Sequence, residues 1–196
     1  MRERVPLARI QDAVLEFLRG RSDAAVFGAQ AVNAYVDQPR MTQDVDILST
    51  RAEEFAEELR RFLHERFQMA VRVRVVAEGI GFRVYQVRKP KNRHLADVRN
   101  VERLPSCKRL QKVLILAPPA LIAYKILSMI ARPKTPKGLT DEADLRRLIL
   151  RFPELKTEEG LVTDALRRLE APPQAFKAWQ TLVAEEILPE DEDVGF

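Results

Sequence analysis

Phe27-Gly28-Ala29-Gln30-Ala31-Val32-Asn33-Ala34-Tyr35-Val36-Asp37-Gln38-Pro39-Arg40-Met41-Thr42-Gln43-Asp44-Val45-Asp46-Ile47-Leu48 holds the residues that decide the fold. The apolar run that ends at Gly28 suits a short buried strand from Ala24. A small-residue helix over about 29–36 follows, and Asp44 to Leu48 reads as a second strand. Side chains at i and i+2 of a strand share a face, so Asp44 and Asp46 project together. A divalent cation relieves their repulsion, and Mg²⁺ takes one or two carboxylates together with substrate phosphates and water. Gly28 permits close approach of a phosphate, and a helix opening at Ala29 presents free backbone N–H groups to it. Arg40 stands just ahead of the carboxylates as a further phosphate contact. The bland alternatives are a turn cap for Asp44 and an ion pair between Asp44 and Arg40.

Outward from this stretch the pattern is mixed. Leu7, Ile10, Val14, Phe17 and Leu18 fall on one helical face, with Gly20 as a stop signal. Thr50 and Glu53 have capping-box spacing and predict a helix to about Arg66. Valines alternate with Arg72 and Arg74 between Met69 and Ala77, and Phe82 to Val87 alternates again, with a hairpin turn around 78–81. Leu95 to Val98 and Val113 to Leu116 are further strands. Pro118-Pro119 opens a helix to about Ala131, and helices near 140–151, 158–170 and 173–188 complete the chain. The expected fold class is α/β (α+β). A mixed sheet flanked by helices over 1–117 precedes a helical part over 118–196.

Composition bounds the function. Of 196 residues, 46% are hydrophobic and 32% charged, which argues for a packed core and against wholesale disorder. Cys107 is the one cysteine and His64 and His94 the only histidines, so a disulfide framework, a Cys-rich zinc site and a His-rich metal site are excluded. No apolar run approaches the ~20 residues of a membrane span. The opening residues lack the apolar core of a signal peptide, so a cytoplasmic protein is expected. The net charge of +4 conceals an uneven distribution. Residues 66–112 hold 13 Lys or Arg and 3 acids, whereas six acids follow Lys177. Arg72 and Arg74 share a strand face that Arg83 is a candidate to join, and such a patch suits an RNA backbone or a solvated surface. Asp97 is one of the three acids in this basic stretch, and Arg93 or Arg99 are its nearby candidates for an ion pair.

Gly28-Ala29-Gln30-Ala31 and then Pro39-Arg40-Met41-Thr42-Gln43-Asp44-Val45-Asp46 resemble the nucleotidyltransferase superfamily. The likeness is nearest to the AbiEii-like branch, which includes toxins of toxin–antitoxin pairs, and covers about residues 24–150. It implies that Asp44 and Asp46 bind the Mg²⁺ (or Mn²⁺) of a nucleoside triphosphate and that Asp97 is the third carboxylate, assisting as base. It implies nucleotide contacts for Gly28, Ala29, Gln30, Arg40 and Thr42. The family's helical Lys and later Asp-X-X-Asp-Leu are matched by Lys125, Asp141 and Asp144. A Lys on an apolar helix needs a partner, and either a nucleotide phosphate or Asp141 and Asp144 would serve. Asp141 is also placed to cap its helix beside Thr140.

Gln30 stands where the family often has Ser or Thr to hold terminal phosphates. The activity implied is transfer of a nucleoside monophosphate to a hydroxyl of RNA, tRNA or a protein, with an antitoxin protein as partner and no membrane. The alternative is a catalytically degenerate module that keeps the fold and binds RNA through its basic face. A small-molecule, aminoglycoside-type transferase would want an acidic acceptor pocket, and the basic middle argues against it.

Overall fold

The computed structural model describes residues 5–189. They divide into two compact units, 5–34 with 39–117, and 35–38 with 118–189.

The first unit is built on α1 (Leu7–Leu18), β1 (Ala24–Phe27), α2 (Gly28–Asn33), β2 (Val45–Ser49) and α3 (Ala52–Phe67). It continues with β3 (Val71–Val76), β4 (Gly81–Gln86), β5 (Arg93–Asn100), β6 (Cys107–Leu110) and β7 (Val113–Leu116). The strands form one sheet in the order β3-β4-β5-β2-β1-β7-β6. β2 runs parallel to β5 and β1 parallel to β7, while the remaining neighbours are antiparallel. This is the mixed α/β sheet that the sequence predicts.

Amphipathic spacing explains α3. Phe55, Leu59 and Leu63 recur every fourth residue and are fully buried. Glu53 and Glu54 open the helix and Arg66 lies in its last turn, charges that suit its dipole. The ring of Phe17 on α1 meets Phe55 edge-on at 5.4 Å. Both helices pack against the sheet. The predicted Thr50–Glu53 capping box does not form, because Arg51 occupies the N-cap without a side-chain hydrogen bond. Instead the buried Ser49 hydroxyl accepts from the Arg51 N–H at 3.1 Å and donates to the Asp23 carbonyl at 3.0 Å. The strand β6 escapes sequence detection because it lacks alternation. It is an edge strand bearing Lys108 and Arg109, and charge on an edge discourages further pairing.

The second unit holds α4 (Pro118–Ala131), α5 (Pro136–Arg151), α6 (Leu161–Arg168) and α7 (Pro173–Ala184). The turn at 35–38 belongs with it, since Tyr35 packs edge-on against Phe152 and its carbonyl accepts from Arg151 Nε at 3.2 Å. α5 begins earlier than the 140 expected. Its N-cap is Thr135, whose hydroxyl accepts from the Gly138 N–H at 3.0 Å. Asp141 therefore does not cap the helix but lies within it. Of the acidic tail, 190–196 lie outside the described residues, while Glu185 pairs with Arg146 at 2.8 Å. Among the described residues no helix is long and apolar enough to cross a membrane.

Thr135→Ala removes the α5 cap and should lower stability by about 1 kcal/mol in urea denaturation. Thr140→Ala should cost less, because its hydroxyl only donates to the Pro136 carbonyl within the helix.

Candidate active site

Strand register assembles the first unit's polar face. Asp46 on β2 stands beside Asp97 on β5. Asp97 is in turn opposite Arg83 on β4, and Arg83 opposite Arg74 on β3. The four side chains form a row across four adjacent strands on one face of the sheet. The neighbouring rows, Val45-Ala96-Val84-Val73 and Ile47-Val98-Phe82-Val75, project to the opposite face, and all but Val73 and Val75 are buried. Strand pleating thus sends apolar and charged side chains to opposite sides.

Two carboxylates on neighbouring strands repel one another, and Arg83 supplies the opposite charge. Its Nε and one terminal nitrogen donate to the two Asp97 oxygens at 2.7 and 2.9 Å, a bidentate fork. Those hydrogen bonds, opposed by partial burial, raise the guanidinium pKa above its ordinary value, and the charges of Asp97, Asp44 and Asp46 add to the effect. Of the two ion-pair partners the sequence offered for Asp97, Arg99 lies instead over the Phe27 ring at 5.4 Å, and Arg93 donates to the Val5 carbonyl at 3.0 Å. Arg83 was missed as the partner because fourteen residues of sequence and a strand turn separate it from Asp97. The signal available was its alternation with Phe82 and Val84, which places it on the polar face.

Gly28 has a specific steric role. Its φ is +67°, and a Cβ there would lie 2.0 Å from Asp46 Oδ2 and 2.8 Å from Asp46 Cβ. Phe27 is the register partner of Asp46, so the Asp46 carboxylate falls across the residue that follows. The missing Cβ makes room for the Asp46 carboxylate. α2 starts at Gly28 and spans six residues.

The Arg40–Thr42 segment is pinned to the helices beside it. The Asn33 amide donates to the Arg40 carbonyl at 2.8 Å and accepts from its N–H at 3.1 Å. Gln30 donates to the Thr42 hydroxyl at 2.8 Å, and Gln11 donates to the Thr42 carbonyl at 2.9 Å. Gln30 thereby positions the loop that leads into Asp44. Ala29 is the second residue of α2, and Asp44 lies one residue ahead of β2.

The donor set fits the cation that the resemblance implies in part. Asp44 and Asp46 are hard oxygen donors, two residues apart, beside the cation-bearing Arg83. Asp97 does not complete the set while both its oxygens carry Arg83, and among the described residues no group of three or more His, Cys, Asp or Glu is arranged to hold a metal ion. Burial pushes the Cys107 thiol up to about 11, so it is no thiolate nucleophile at neutral pH.

Lys125, Asp141 and Asp144 come together in the second unit. The Lys125 ammonium is 4% exposed and donates to Asp141 at 2.9 Å and to Asp144 at 2.7 Å. Ser128 and Arg132 also donate to Asp141, at 2.8 and 2.9 Å. Of the two kinds of partner that the sequence allowed Lys125, these carboxylates are the ones it meets.

No family model matches the chain, and no curated protein matches it. Among solved structures it resembles the Megavirus polyadenylate synthase, with a TM-score of 0.60, 11% identity, and coverage of 75% of this chain and 32% of that one. JHP933 from Helicobacter pylori matches with a TM-score of 0.53 and 11% identity over 90% of this chain and 88% of that chain. The antibiotic-resistance factor ANT(2'')-Ia matches with a TM-score of 0.53 and 16% identity over 84% and 91%. The chain spans about a third of the polyadenylate synthase. Together these likenesses give the chain a nucleotidyltransferase-like fold, without singling out the AbiEii-like branch.

Gly28→Ala should destabilise the first unit by about 2 kcal/mol, since a left-handed alanine alone costs 1–2 kcal/mol and the Asp46 clash adds to it. Urea denaturation measures the loss, and a crystal structure of the variant should show Asp46 displaced. Lys125→Met removes the buried ammonium shared by two buried carboxylates and should cost about 3–5 kcal/mol by the same denaturation assay.

Proposed function

We propose that the chain is a divalent-cation-dependent nucleotidyltransferase that moves a nucleoside monophosphate from a triphosphate to a hydroxyl, with RNA as the acceptor class. The observation that carries this reading is the row Asp46-Asp97-Arg83-Arg74, which sets acids beside cations on one sheet face. Asp44 and Asp46 would hold Mg²⁺ or Mn²⁺, which when bound neutralises charge on the phosphates. The acceptor oxygen forms its bond to the α-phosphorus, the bond to the bridging oxygen breaks, and pyrophosphate leaves. Asp97 would take the acceptor proton. Arg40 would contact the triphosphate from the pinned loop, Gln30 and Thr42 hold that loop through their hydrogen bond, and Ala29 would lie beside the triphosphate at the Gly28 turn.

An RNA acceptor is supported by Arg72 and Arg74. Both are exposed, lie on the same sheet face as the carboxylates, and have no side-chain partner among the described residues. One neighbour in fold is named a polyadenylate synthase. A small-molecule, aminoglycoside-type acceptor is disfavoured, since a polycation would meet Arg72 and Arg74. A toxin role with an antitoxin partner rests on the sequence resemblance, as do direct nucleotide contacts by Lys125, Asp141 and Asp144.

The catalytically degenerate RNA-binding module is the second reading. Gln30 favours it, since its amide is spent on Thr42 rather than directed to a phosphate.

Asp46→Asn should abolish transfer of label from an α-labelled triphosphate to RNA, while leaving salt-sensitive RNA binding unchanged. Equal transfer by wild type and variant would overturn the assignment. RNA binding with no nucleotide binding in titration calorimetry would establish the second reading.

A further inference from the structure

Arg83 is the residue that the proposed transfer does not use, and its placement demands an account. It spends two donors on Asp97 and stands within the field of Asp44 and Asp46. The pair is not locked away: the Arg83 and Asp97 side chains are 35% and 30% exposed. A partly exposed ion pair is worth little, so a ligand that outbids it can open it. Arg74, directly opposite on β3, repels the Arg83 guanidinium and favours its leaving the β4 position if Asp97 is taken.

We propose that Arg83 is an internal counter-cation that competes with a divalent cation for Asp97, so that the third carboxylate joins Asp44 and Asp46 only after the Arg83 fork has opened. This inference rests on the assignment of Asp44 and Asp46 as cation ligands. In the closed fork the Arg83 guanidinium sits on Asp97 and within the field of Asp44 and Asp46. In the open state a divalent cation replaces that charge, and the freed guanidinium, whose planar fork matches phosphate as well as carboxylate, turns to a phosphate oxygen on the same sheet face. Arg83 is thus a positioning residue: it decides when Asp97 can act.

Mn²⁺ binding to the full chain without nucleotide, measured by electron paramagnetic resonance of the free ion, tests this apart from activity. Arg83→Met should tighten Mn²⁺ binding by about fivefold or more, the order of a partly exposed pair. Arg83→Lys, which keeps the charge but loses the fork, should tighten it less. The same gain in an Asp97→Asn background, or from Arg74→Met, would reduce the effect to general charge removal and overturn the proposal. Unchanged affinity in Arg83→Met would also overturn it, provided that variant and wild type unfold at the same urea concentration. Arg83→Lys keeps the test open should Arg83→Met fail to fold, since a gain there that Asp97→Asn abolishes supports competition and no gain refutes it. Asp46→Asn in the Arg83→Met background reports separately on the cation ligands: undiminished Mn²⁺ binding there refutes the Asp46 assignment, whatever Arg83 does.

Discussion

The register that sets Asp46, Asp97 and Arg83 abreast on β2, β5 and β4 is the constraint on which the first unit depends. Two carboxylates at interstrand spacing would repel one another across a parallel pair of strands. Arg83 settles that conflict by donating twice to Asp97. The opposite face carries Val45, Ile47, Phe82, Val84, Ala96 and Val98, all buried. A slip of one residue would drive the charges into the core and the valines outward, so the hydrophobic effect and the ion pair select the same pairing.

Around this row the chain spends its polar groups on position. Gly28 yields the volume of a side chain to Asp46. Gln30 and Gln11 both donate to Thr42, and Asn33 brackets Arg40 through two hydrogen bonds, so the long connection into β2 is tied at two points. A catalytic group on a loop is only as well placed as the loop, and here the loop is held by amide side chains. Gln30, which departs from the Ser or Thr of the resembled family, serves the loop.

The second unit follows a different electrostatic logic. Lys125, Asp141 and Asp144 are buried, and every buried side-chain nitrogen and oxygen among the described residues has a partner. A buried charge left alone is costly, so two carboxylates, Ser128 and Arg132 gather into one satisfied cluster that joins α4 to α5. The cluster is buried and fully partnered, in contrast with the partly exposed Arg83–Asp97 pair.

Sequence alone was enough for the periodic elements. The four-residue spacing of α3, the alternation of β3 and β4 and the Gly28 turn all follow from local sterics and burial. Element ends were less legible: Thr50 looked like a cap, yet Ser49 and a carbonyl from Asp23 decided where α3 begins, and Thr135 rather than Asp141 opens α5. Those choices depend on groups brought near by folding. The same holds for the candidate site. Local sequence named Asp97 as an isolated acid in a basic stretch, but which arginine faces it is a matter of strand order and register. Only the tertiary structure put Arg83 there, because hydrogen bonding between β4 and β5 aligns residues that the chain keeps fourteen positions apart.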